Sequence, residues 1–334
     1  MYKIAFDLMG NDYGDQPALQ AVREFIQKNT NFTVLLVGNK TSILEFFANQ
    51  LPANLEIIDN STVASDTKNL RQALKENTSM NTALQLLANN EVDAVLSPGD
   101  SGLLLSAATF IVKRLPGISR AAFMPIMPSI KKGKKTIFLD VGANLEVKDT
   151  YFVEWAHLAK IFAKTMLKVN EPKIALINVG TEEYKGLEVT RSAHGLLKNE
   201  KNLNYQGFVE PRDMLTTEND VVLADGYAGN LVLKSFEGAI LSFGKLLKTA
   251  IKAKFWRKIG YLFLKGAFRD TAETLDYRNV GAAWVLGLNG LVIKTHGSSD
   301  VKSYLGALNQ VKLALETNTF TKIKEELDHN EQQN

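Results

Sequence analysis

The sequence contains no cysteine. This absence excludes disulfide bonds, thiolate metal sites and a cysteine nucleophile, and it suits a cytoplasmic protein. Long apolar runs are also missing, because the longest, 101–112 and 280–293, fall short of the roughly 20 residues that cross a bilayer. Asp7 stands where a signal peptide would have its apolar stretch. The sequence therefore predicts a cytoplasmic protein without a membrane span.

Acidic residues are missing from the segment between Lys245 and Arg269. This segment carries eight basic residues, whereas the formal net charge of the whole chain is only +3, so the remainder is net negative. The positive charge is therefore local. It predicts a local partner and no general affinity for nucleic acid.

Hydrophobic residues make up 45% and charged residues 22% of the 334 residues, which is typical of a globular protein with a substantial core. Short apolar runs alternate with longer segments of helical spacing, and this alternation predicts βα units around a mostly parallel sheet. We predict strands at 2–6, 33–37, 94–97, 121–124, 136–139, 173–177, 204–208, 221–223 and 291–294. We predict helices at 17–28, 69–89, 153–167 and 187–197. We expect a single α/β catalytic domain over 1–334.

Six of the predicted strands end in loops rich in glycine, asparagine, aspartate and serine. In an open α/β sheet the ligand lies outside the carboxyl ends of the strands. Glycine allows backbone N–H groups to approach a ligand, and the helix that follows favours an anion at its N-terminus. Turn geometry and helix capping explain any single loop equally well. Six such loops together predict a shared crevice that binds an anion.

The same loops carry a family resemblance. In order, the segments are FDLMGND (6–12), LDVGAN (139–144), NVGTEEYKG (178–186), GFVE (207–210), ADGYAGN (224–230) and HGSS (296–299). They resemble the signature segments of the PlsX phosphate acyltransferases over nearly the whole chain, and Lys234 and Glu237 match as well. The resemblance implies a three-layer α/β/α fold akin to isopropylmalate dehydrogenases and phosphotransacetylases.

The resemblance also implies an activity and its partners. Members of the family transfer a long-chain acyl group from acyl carrier protein to inorganic phosphate, and the acyl-phosphate feeds phospholipid synthesis. They work as homodimers at the cytoplasmic face of the membrane. This chain departs from the family pattern at Asn11, Pro98 and Asp100. Two alternatives therefore stay open: a phosphotransacetylase-like enzyme that acts on short acyl-CoA, and a catalytically silent scaffold that binds acyl carrier protein at the membrane.

Attack of phosphate on a thioester needs a positioned nucleophile, a stabilised oxyanion and a route for the leaving thiolate. Without cysteine, direct attack by phosphate is the simplest mechanism. We predict Lys185 and Asn230 as catalytic residues, His296 as the acid that protonates the sulfur, and Asp225 as a residue that orients neighbouring donors. An ion pair between Lys185 and Glu183 and capping roles for His296 and Asp225 are the structural alternatives.

The predicted substrate- and phosphate-binding residues lie in the same loops. They are Asp7, Gly10, Asn11, Gly99, Ser101, Gly142, Asn144, Asn178, Gly180, Glu183, Gly226, Gly229 and Lys234. Lys234 has an ordinary alternative as a surface ion pair with Glu237 at i,i+3 spacing. We expect no cofactor, because neither a GxxxxGK[ST] loop nor a GxGxxG segment is present. We also expect no metal, because the histidines lack partners at metal-site spacing.

The basic segment has helical spacing from 243 to 264, but its apolar face changes direction. The apolar face that contains Phe255 and Trp256 is rotated roughly 150° from the face that contains Leu246 and Ile251. One straight helix cannot bury both faces, so we predict a break near Ala253 and a protruding pair of helices at 240–270. The predicted contacts with an anionic membrane or the carrier are Lys252, Phe255, Trp256, Lys258 and Phe263. Packing of the pair on a dimer partner is the alternative.

Overall fold

One eleven-stranded sheet organises the chain, in a computed structural model that describes residues 1–275 and 282–333. The strands are β1 Tyr2–Asp7, β2 Phe32–Gly38, β3 Leu55–Asp59, β4 Ala94–Ser97, β5 Ala122–Pro128, β6 Lys135–Leu139, β7 Lys173–Ile177, β8 Asn204–Val209, β9 Val221–Leu223, β10 Ala282–Leu286 and β11 Leu291–Thr295. Their order across the sheet is β3-β2-β1-β4-β11-β10-β5-β6-β9-β7-β8.

Strand direction reverses in the middle of the sheet. Seven of the ten strand pairs are parallel, and the antiparallel pairs are β11–β10, β10–β5 and β5–β6. The five strands from β3 to β11 therefore run opposite to the four strands from β6 to β8. The mostly parallel sheet is confirmed, but the carboxyl ends of its two halves point to opposite ends of the strands.

Helices cover both faces of the sheet. They are α1 Gln16–Lys28, α2 Lys40–Phe46, α3 Leu70–Ala73, α4 Ser79–Ala88, α5 Ser101–Ile111, α6 Asp149–Phe162, α7 Glu188–Asn199, α8 Gly226–Lys252, α9 Phe255–Leu275, α10 Val301–Glu316 and α11 Thr319–Gln333. A π-helical turn, Ala163–Leu167, continues α6, and a 3₁₀ turn, Pro211–Asp213, follows β8.

Two separate apolar cores result from this layering. Successive side chains of a strand point to opposite faces, so Ile4 and Phe6 of β1 join one core and Ala5 joins the other. The first core contains side chains of α1, α6, α7, α10 and α11, including the fully buried Trp155. The second contains those of α3, α4 and α5. These two cores confirm the predicted three-layer α/β/α fold.

Some elements differ from the predictions. The strands β3 and β10 were not predicted, and β5 extends four residues beyond the predicted end, to Pro128. The predicted helix at 69–89 is two helices, α3 and α4. The reason lies in Asn81, whose amide donates to the carbonyl oxygens of Ala73 (3.0 Å) and Glu76 (2.8 Å). Its backbone N–H donates to Thr78 Oγ1 at 3.1 Å, so Thr78 begins α4 as a new N-cap.

The long helices α8 and α9 form the predicted protruding pair. Helix α8 ends at Lys252 with Ala253 as its C-cap, and α9 begins at Phe255, so the chain breaks where the apolar face changes. In the part of the chain that the structure describes, α8 buries only Gly226 and Gly229, and α9 buries no residue. Over residues 1–275 and 282–333, no helix is both long enough and apolar enough to cross a membrane.

Candidate active site

A cleft of about 760 Å³ lies over the central strands β5 and β10, where the two halves of the sheet meet. The loops after β4 and β11 contribute Ser101, Lys294, His296 and Ser298 to its lining. The loop after β6 and the start of α8 contribute Val141, Gly142, Asn230 and Lys234. The reversal of strand direction separates the two sets of loops along the sheet. Both sets nevertheless line the same cleft. The predicted crevice therefore lies across the face of the sheet and not along one edge of it.

The floor of the cleft is apolar. Strand β5 contributes Phe123, Pro125 and Met127, and β10 contributes Ala283. Helix α8 runs alongside and presents Asn230, Leu233, Lys234 and Glu237, which share one face because they lie three or four residues apart. The cleft thus joins polar ends to an apolar middle.

Asp7 lies beneath the loops after β1 and β4, at the end of the cleft that Ser101 and Lys294 line. Its buried carboxylate accepts hydrogen bonds from Ser79 Oγ (2.7 Å), Ser97 Oγ (2.6 Å) and the N–H of Met9 (3.0 Å). Burial raises the pKa of Asp7, although these hydrogen bonds oppose the shift. The carboxylate therefore holds the loops after β1 and β4 together.

The neighbouring predicted residues pack on this anchor. A Cβ atom on Gly10 would lie 2.9 Å from the Cα of Gly99, so the two loops touch through glycine. The N–H of Gly99 donates to Ser97 Oγ at 3.1 Å. The Asn11 amide donates to the Leu8 carbonyl oxygen at 2.6 Å and accepts a hydrogen bond from the Tyr304 hydroxyl. Asp7, Gly10, Asn11 and Gly99 are therefore assembled, with their polar groups largely engaged.

Lys294 is a cleft residue that the sequence analysis missed. Its ammonium group donates to the carbonyl oxygens of Pro98 (3.1 Å) and Thr295. Burial lowers its pKa to about 8, against the opposing charges of Asp100, Asp7 and Asp12. The available signal was a charged residue inside an otherwise apolar strand.

His296 lines the same end of the cleft. Desolvation inside the cleft and the charges of Lys234 and Lys294 lower its pKa below the usual value of 6.5. Lys234 itself forms an ion pair with Glu237 at 2.8 Å, as expected if Lys234 is an ordinary surface residue and not a ligand-binding one. His296 is therefore mostly uncharged at neutral pH.

Asp140 organises the opposite end. Its buried carboxylate accepts hydrogen bonds from the N–H groups of Phe123 (3.0 Å), Gly142 (3.2 Å), Ala143 (3.0 Å) and Asn144 (2.7 Å). The Asn144 amide donates to the carboxylate at 3.0 Å and to the Ala121 carbonyl oxygen at 2.8 Å. Burial raises the pKa of Asp140 against these bonds. The predicted donors of Gly142 and Asn144 are thus engaged within the protein.

The N-terminus of α8 packs directly on this loop. The Gly226 N–H donates to the Asn144 carbonyl oxygen at 2.8 Å. A Cβ atom on Gly226 would lie 2.5 Å from that oxygen, and one on Gly229 would lie 1.9 Å from the Asp140 carbonyl oxygen. Only glycine permits such an approach. Asp225 caps the helix by accepting the Ala228 N–H at 2.8 Å, which is its structural alternative.

Asn230 is the predicted catalytic residue that this packing presents to the cleft. A Cβ atom on Gly142 would come 3.6 Å from the Asn230 Cγ, so the two residues face each other. Within residues 1–275 and 282–333, no hydrogen bond engages the Asn230 amide. Its donors therefore remain available to a ligand in the cleft.

Lys185 belongs to a third loop, after β7. Its ammonium group pairs with Glu182 Oε1 at 2.7 Å, which raises its pKa, so the expected alternative partner Glu183 was wrong. Glu183 instead contacts Lys198 at 2.9 Å and His194 at 3.4 Å. The Asn178 amide donates to the Lys185 carbonyl oxygen at 3.0 Å.

Gly180 packs against the Lys185 side chain, because a Cβ atom on it would lie 2.6 Å from the Lys185 Cδ. Strand β7 is parallel to β9, so this loop and the start of α8 lie at the same end of the strands. Asn178, Gly180 and Lys185 do not line the cleft; their loop follows the strand next to β9.

Comparisons with known proteins decide what this arrangement belongs to. The profile of the fatty acid synthesis protein family matches residues 2–322. A phosphate acyltransferase of Mycoplasmopsis agalactiae is 55% identical over 331 residues, which cover 98% of each chain. The phosphate acyltransferase of Clostridium acetobutylicum is 37% identical and covers 97% of this chain and 98% of its own. The chain belongs to the phosphate acyltransferase family.

Membership confirms the PlsX resemblance, and it makes the chain an acyltransferase with phosphate as the acceptor. Solved structures add the fold. A branched-chain phosphotransacylase from Enterococcus faecalis superposes with a TM-score of 0.60 at 14% identity, covering 94% of this chain and all of its own. A phosphotransacetylase from Staphylococcus aureus gives 0.59 at 17% identity, covering 94% of each chain. The predicted fold likeness to phosphotransacetylases is confirmed.

Proposed function

We propose that this phosphate acyltransferase transfers a long-chain fatty acyl group from acyl carrier protein to inorganic phosphate, giving acyl-phosphate for phospholipid synthesis. The observation that carries this proposal is the cleft, in which polar ends flank an apolar floor made by Phe123, Met127 and Ala283. Such a floor suits a hydrocarbon chain, because burial of each CH₂ group contributes about 0.8 kcal/mol.

The reaction is a direct displacement. A phosphate oxygen attacks the thioester carbonyl carbon, a C–O bond forms and negative charge develops on the carbonyl oxygen. The C–S bond then breaks, and the leaving thiolate takes up a proton. The free amide of Asn230 donates to the developing oxyanion, and Lys185 supplies positive charge from the loop after the neighbouring strand β7. Asp225 keeps Asn230 in place by capping α8.

The remaining predicted residues support this reaction in two ways. Most of them hold the loops in shape through contacts within the protein. These residues are Asp7, Gly10, Asn11, Gly99, Gly142, Asn144, Asn178, Gly180, Glu183, Gly226 and Gly229. Ser101 and Lys234 line the cleft itself. His296 is the proposed acid, and its lowered pKa confines that role to the acidic side of neutrality.

The central test uses palmitoyl-acyl carrier protein with and without phosphate, and hydroxylamine to trap acyl-phosphate. We expect phosphate-dependent product, and a loss of about a hundredfold in kcat for Asn230→Ala, the usual effect of removing one oxyanion donor. The exposed Asn170→Ala serves as the matched control. Product that does not depend on phosphate, or equal rates for both variants, would contradict the proposal.

The second candidate, transfer from short acyl-CoA, is favoured by the fold likeness to phosphotransacetylases. The apolar floor distinguishes the two candidates, because a short acyl group would leave most of it uncovered. Comparing kcat/KM for palmitoyl-acyl carrier protein with that for acetyl-CoA decides between them. A higher value for acetyl-CoA would establish the second candidate.

The proposal places the protein in the cytoplasm, bound peripherally to the inner membrane face through the helix pair. Trp256 and Phe263 on α9 are 73% and 86% exposed, and Phe255 is exposed beside them. The basic residues Lys252 and Lys258 flank these aromatic side chains. Exposed apolar side chains between basic ones suit anionic lipid headgroups, and the same charges suit an acidic carrier protein.

Flotation with vesicles that contain anionic lipid tests this membrane contact. We expect binding that weakens with salt and is lost in Trp256→Glu, whereas Trp155→Phe, a change inside the core, retains it. Membrane binding that changes neither with salt nor with the Trp256→Glu substitution would contradict the proposal.

Homodimer formation is proposed through the exposed apolar face of α8, which includes Leu241 and Leu246. Light scattering of the wild type and Leu246→Glu tests it, and a monomeric wild type would exclude it.

A further inference from the structure

Lys294 is a mostly buried lysine without a charged partner. Its ammonium group lies at the carboxyl ends of β4 and β11, where the carbonyl oxygens of Pro98 and Thr295 accept two of its three N–H donors. No carboxylate among the described residues forms an ion pair with it. The third donor therefore remains for a ligand in the cleft, which Lys294 lines.

The nearby acids do not occupy this ammonium group. Asp7 is committed to Ser79, Ser97 and a backbone N–H. Asp100 caps α5 by accepting the Leu103 N–H at 2.9 Å. The negative charges of Asp7 and Asp100 favour the protonated form of Lys294, but neither carboxylate forms an ion pair with its ammonium group.

A buried cation is costly unless an anion or strong acceptors compensate it. Two neutral carbonyl oxygens compensate Lys294 only in part. A second lysine, Lys234, lines the same cleft, and its ion pair with Glu237 leaves it half-exposed. Two ammonium groups that face one cleft form a site for an anion with several oxygen atoms.

We propose that Lys294 binds a phosphate group of the substrates at the β4–β11 end of the cleft, with Lys234 beside it. This inference rests on the proposed function, and it places the group near Lys234, which lies one turn of α8 from Asn230. Two sources share this chemistry: inorganic phosphate, and the phosphodiester of the prosthetic arm of acyl carrier protein. Lys294 contacts the bound group directly in either case.

The pH dependence follows from the groups that face Lys294. They are Asp7 and Asp12 from the β1 end, Asp100 from the start of α5, Lys234 and Glu237 from α8, His296 from its own loop, and Asp300 from the start of α10. Desolvation outweighs the acids and lowers the Lys294 pKa to about 8. The binding form is the protonated one, so binding weakens as pH rises through about 8, where phosphate is already mostly dianionic.

The experiment measures kcat and both KM values for the wild type, Lys294→Met, Lys294→Arg and the control Lys68→Met, an exposed lysine. Donors are palmitoyl-acyl carrier protein and palmitoyl-pantetheine, which lacks the phosphodiester. We expect Lys294→Met to raise one KM roughly tenfold to a hundredfold, the effect of losing a hydrogen bond to a charged group. We expect Lys294→Arg to bind well and to lose the fall in kcat/KM above about pH 8, because arginine stays charged.

Each outcome has a defined meaning. A raised KM for phosphate alone assigns Lys294 to inorganic phosphate. A raised KM for the carrier that disappears with palmitoyl-pantetheine assigns it to the prosthetic arm. Unchanged KM values, or a fall above about pH 8 that persists in Lys294→Arg, overturn the inference. If Lys294→Met does not fold, the pH profile of Lys294→Arg decides alone. Failure of the wild type to form acyl-phosphate would instead contradict the proposed function.

Discussion

The contact between Gly229 and the Asp140 loop predicts an unusually severe effect for one methyl group. A Cβ atom at 229 would lie 1.9 Å from the Asp140 carbonyl oxygen and 2.9 Å from its carbonyl carbon. Both atoms belong to the backbone, so no side-chain rotation relieves the overlap. In Gly229→Ala the start of α8 must therefore move away from the loop after β6.

The magnitude follows from two opposing terms. Alanine is favoured over glycine in a helix by about 1 kcal/mol. Overpacking costs about 1–3 kcal/mol, and the rigid backbone here places the cost near the upper limit. We expect a net loss of roughly 2 kcal/mol in the free energy of unfolding. Because Asn230 moves with the helix, a displacement of about 1 Å should also lower kcat about a hundredfold.

Gly238 provides the matched control on the same helix. A Cβ atom there meets no other atom within 4 Å, so Gly238→Ala keeps the gain of about 1 kcal/mol without the overlap. Urea unfolding gives the two stabilities, and hydroxylamine trapping of acyl-phosphate gives the two rates. If Gly229→Ala were as stable and as active as Gly238→Ala, the packing of α8 on the Asp140 loop would be refuted.

Three further predictions use the same assays. Burial raises the pKa of Asp7, so its carboxyl group stays protonated to a higher pH in the folded protein than in the unfolded chain. The free energy of unfolding therefore falls as pH rises above about 4. Asp7→Asn should flatten this fall in urea unfolding, and an unchanged slope would count against the contribution of Asp7. Lys185→Met should lower kcat about a hundredfold, whereas Glu182→Gln, which removes its partner, should retain activity; equal losses would indicate a structural pair. Ala283→Phe should narrow the apolar floor and reduce the rate with palmitoyl donors more than with acetyl donors, and equal reductions would separate Ala283 from the acyl chain.

Much of the fold was predictable because buried parallel strands consist of short apolar runs that the sequence shows directly. Strands β4, β7 and β9 begin and end where the sequence predicted. Strand β3 was missed because its sequence, LEIID, carries charged residues and is only partly buried at the edge of the sheet. The predicted helix at 69–89 was wrong because periodicity does not reveal that the Asn81 amide takes the carbonyl groups of the preceding turn.

The candidate site divides in the same way. Local features, such as the Asp225 cap and the glycines that begin α8, follow from the residue types around them. Partners remote in sequence do not, since Asp7 reaches Ser79 and Ser97 only after folding. Lys294 was visible as a charge inside an apolar strand, but its meaning depends on the Pro98 carbonyl oxygen, 196 residues away.

The convergence of the loops was the inference that most needed coordinates. A fully parallel sheet would place every strand-end loop on one edge, which is what the alternation of strands and helices predicted. The sheet differs from this, because β10 is antiparallel to both β11 and β5, and β5 is antiparallel to β6, so the two halves of the sheet run in opposite directions. With this reversal, the loops after β4 and β11 meet the start of α8 across the face of the sheet, where Lys294, His296, Lys234 and Asn230 line one cleft. Lys234 lies one turn of α8 from Asn230, and its charge acts on both Lys294 and His296. The comparison of donors therefore decides the source of the bound group: an effect of Lys294→Met that persists with palmitoyl-pantetheine assigns inorganic phosphate, and one that disappears assigns the prosthetic arm.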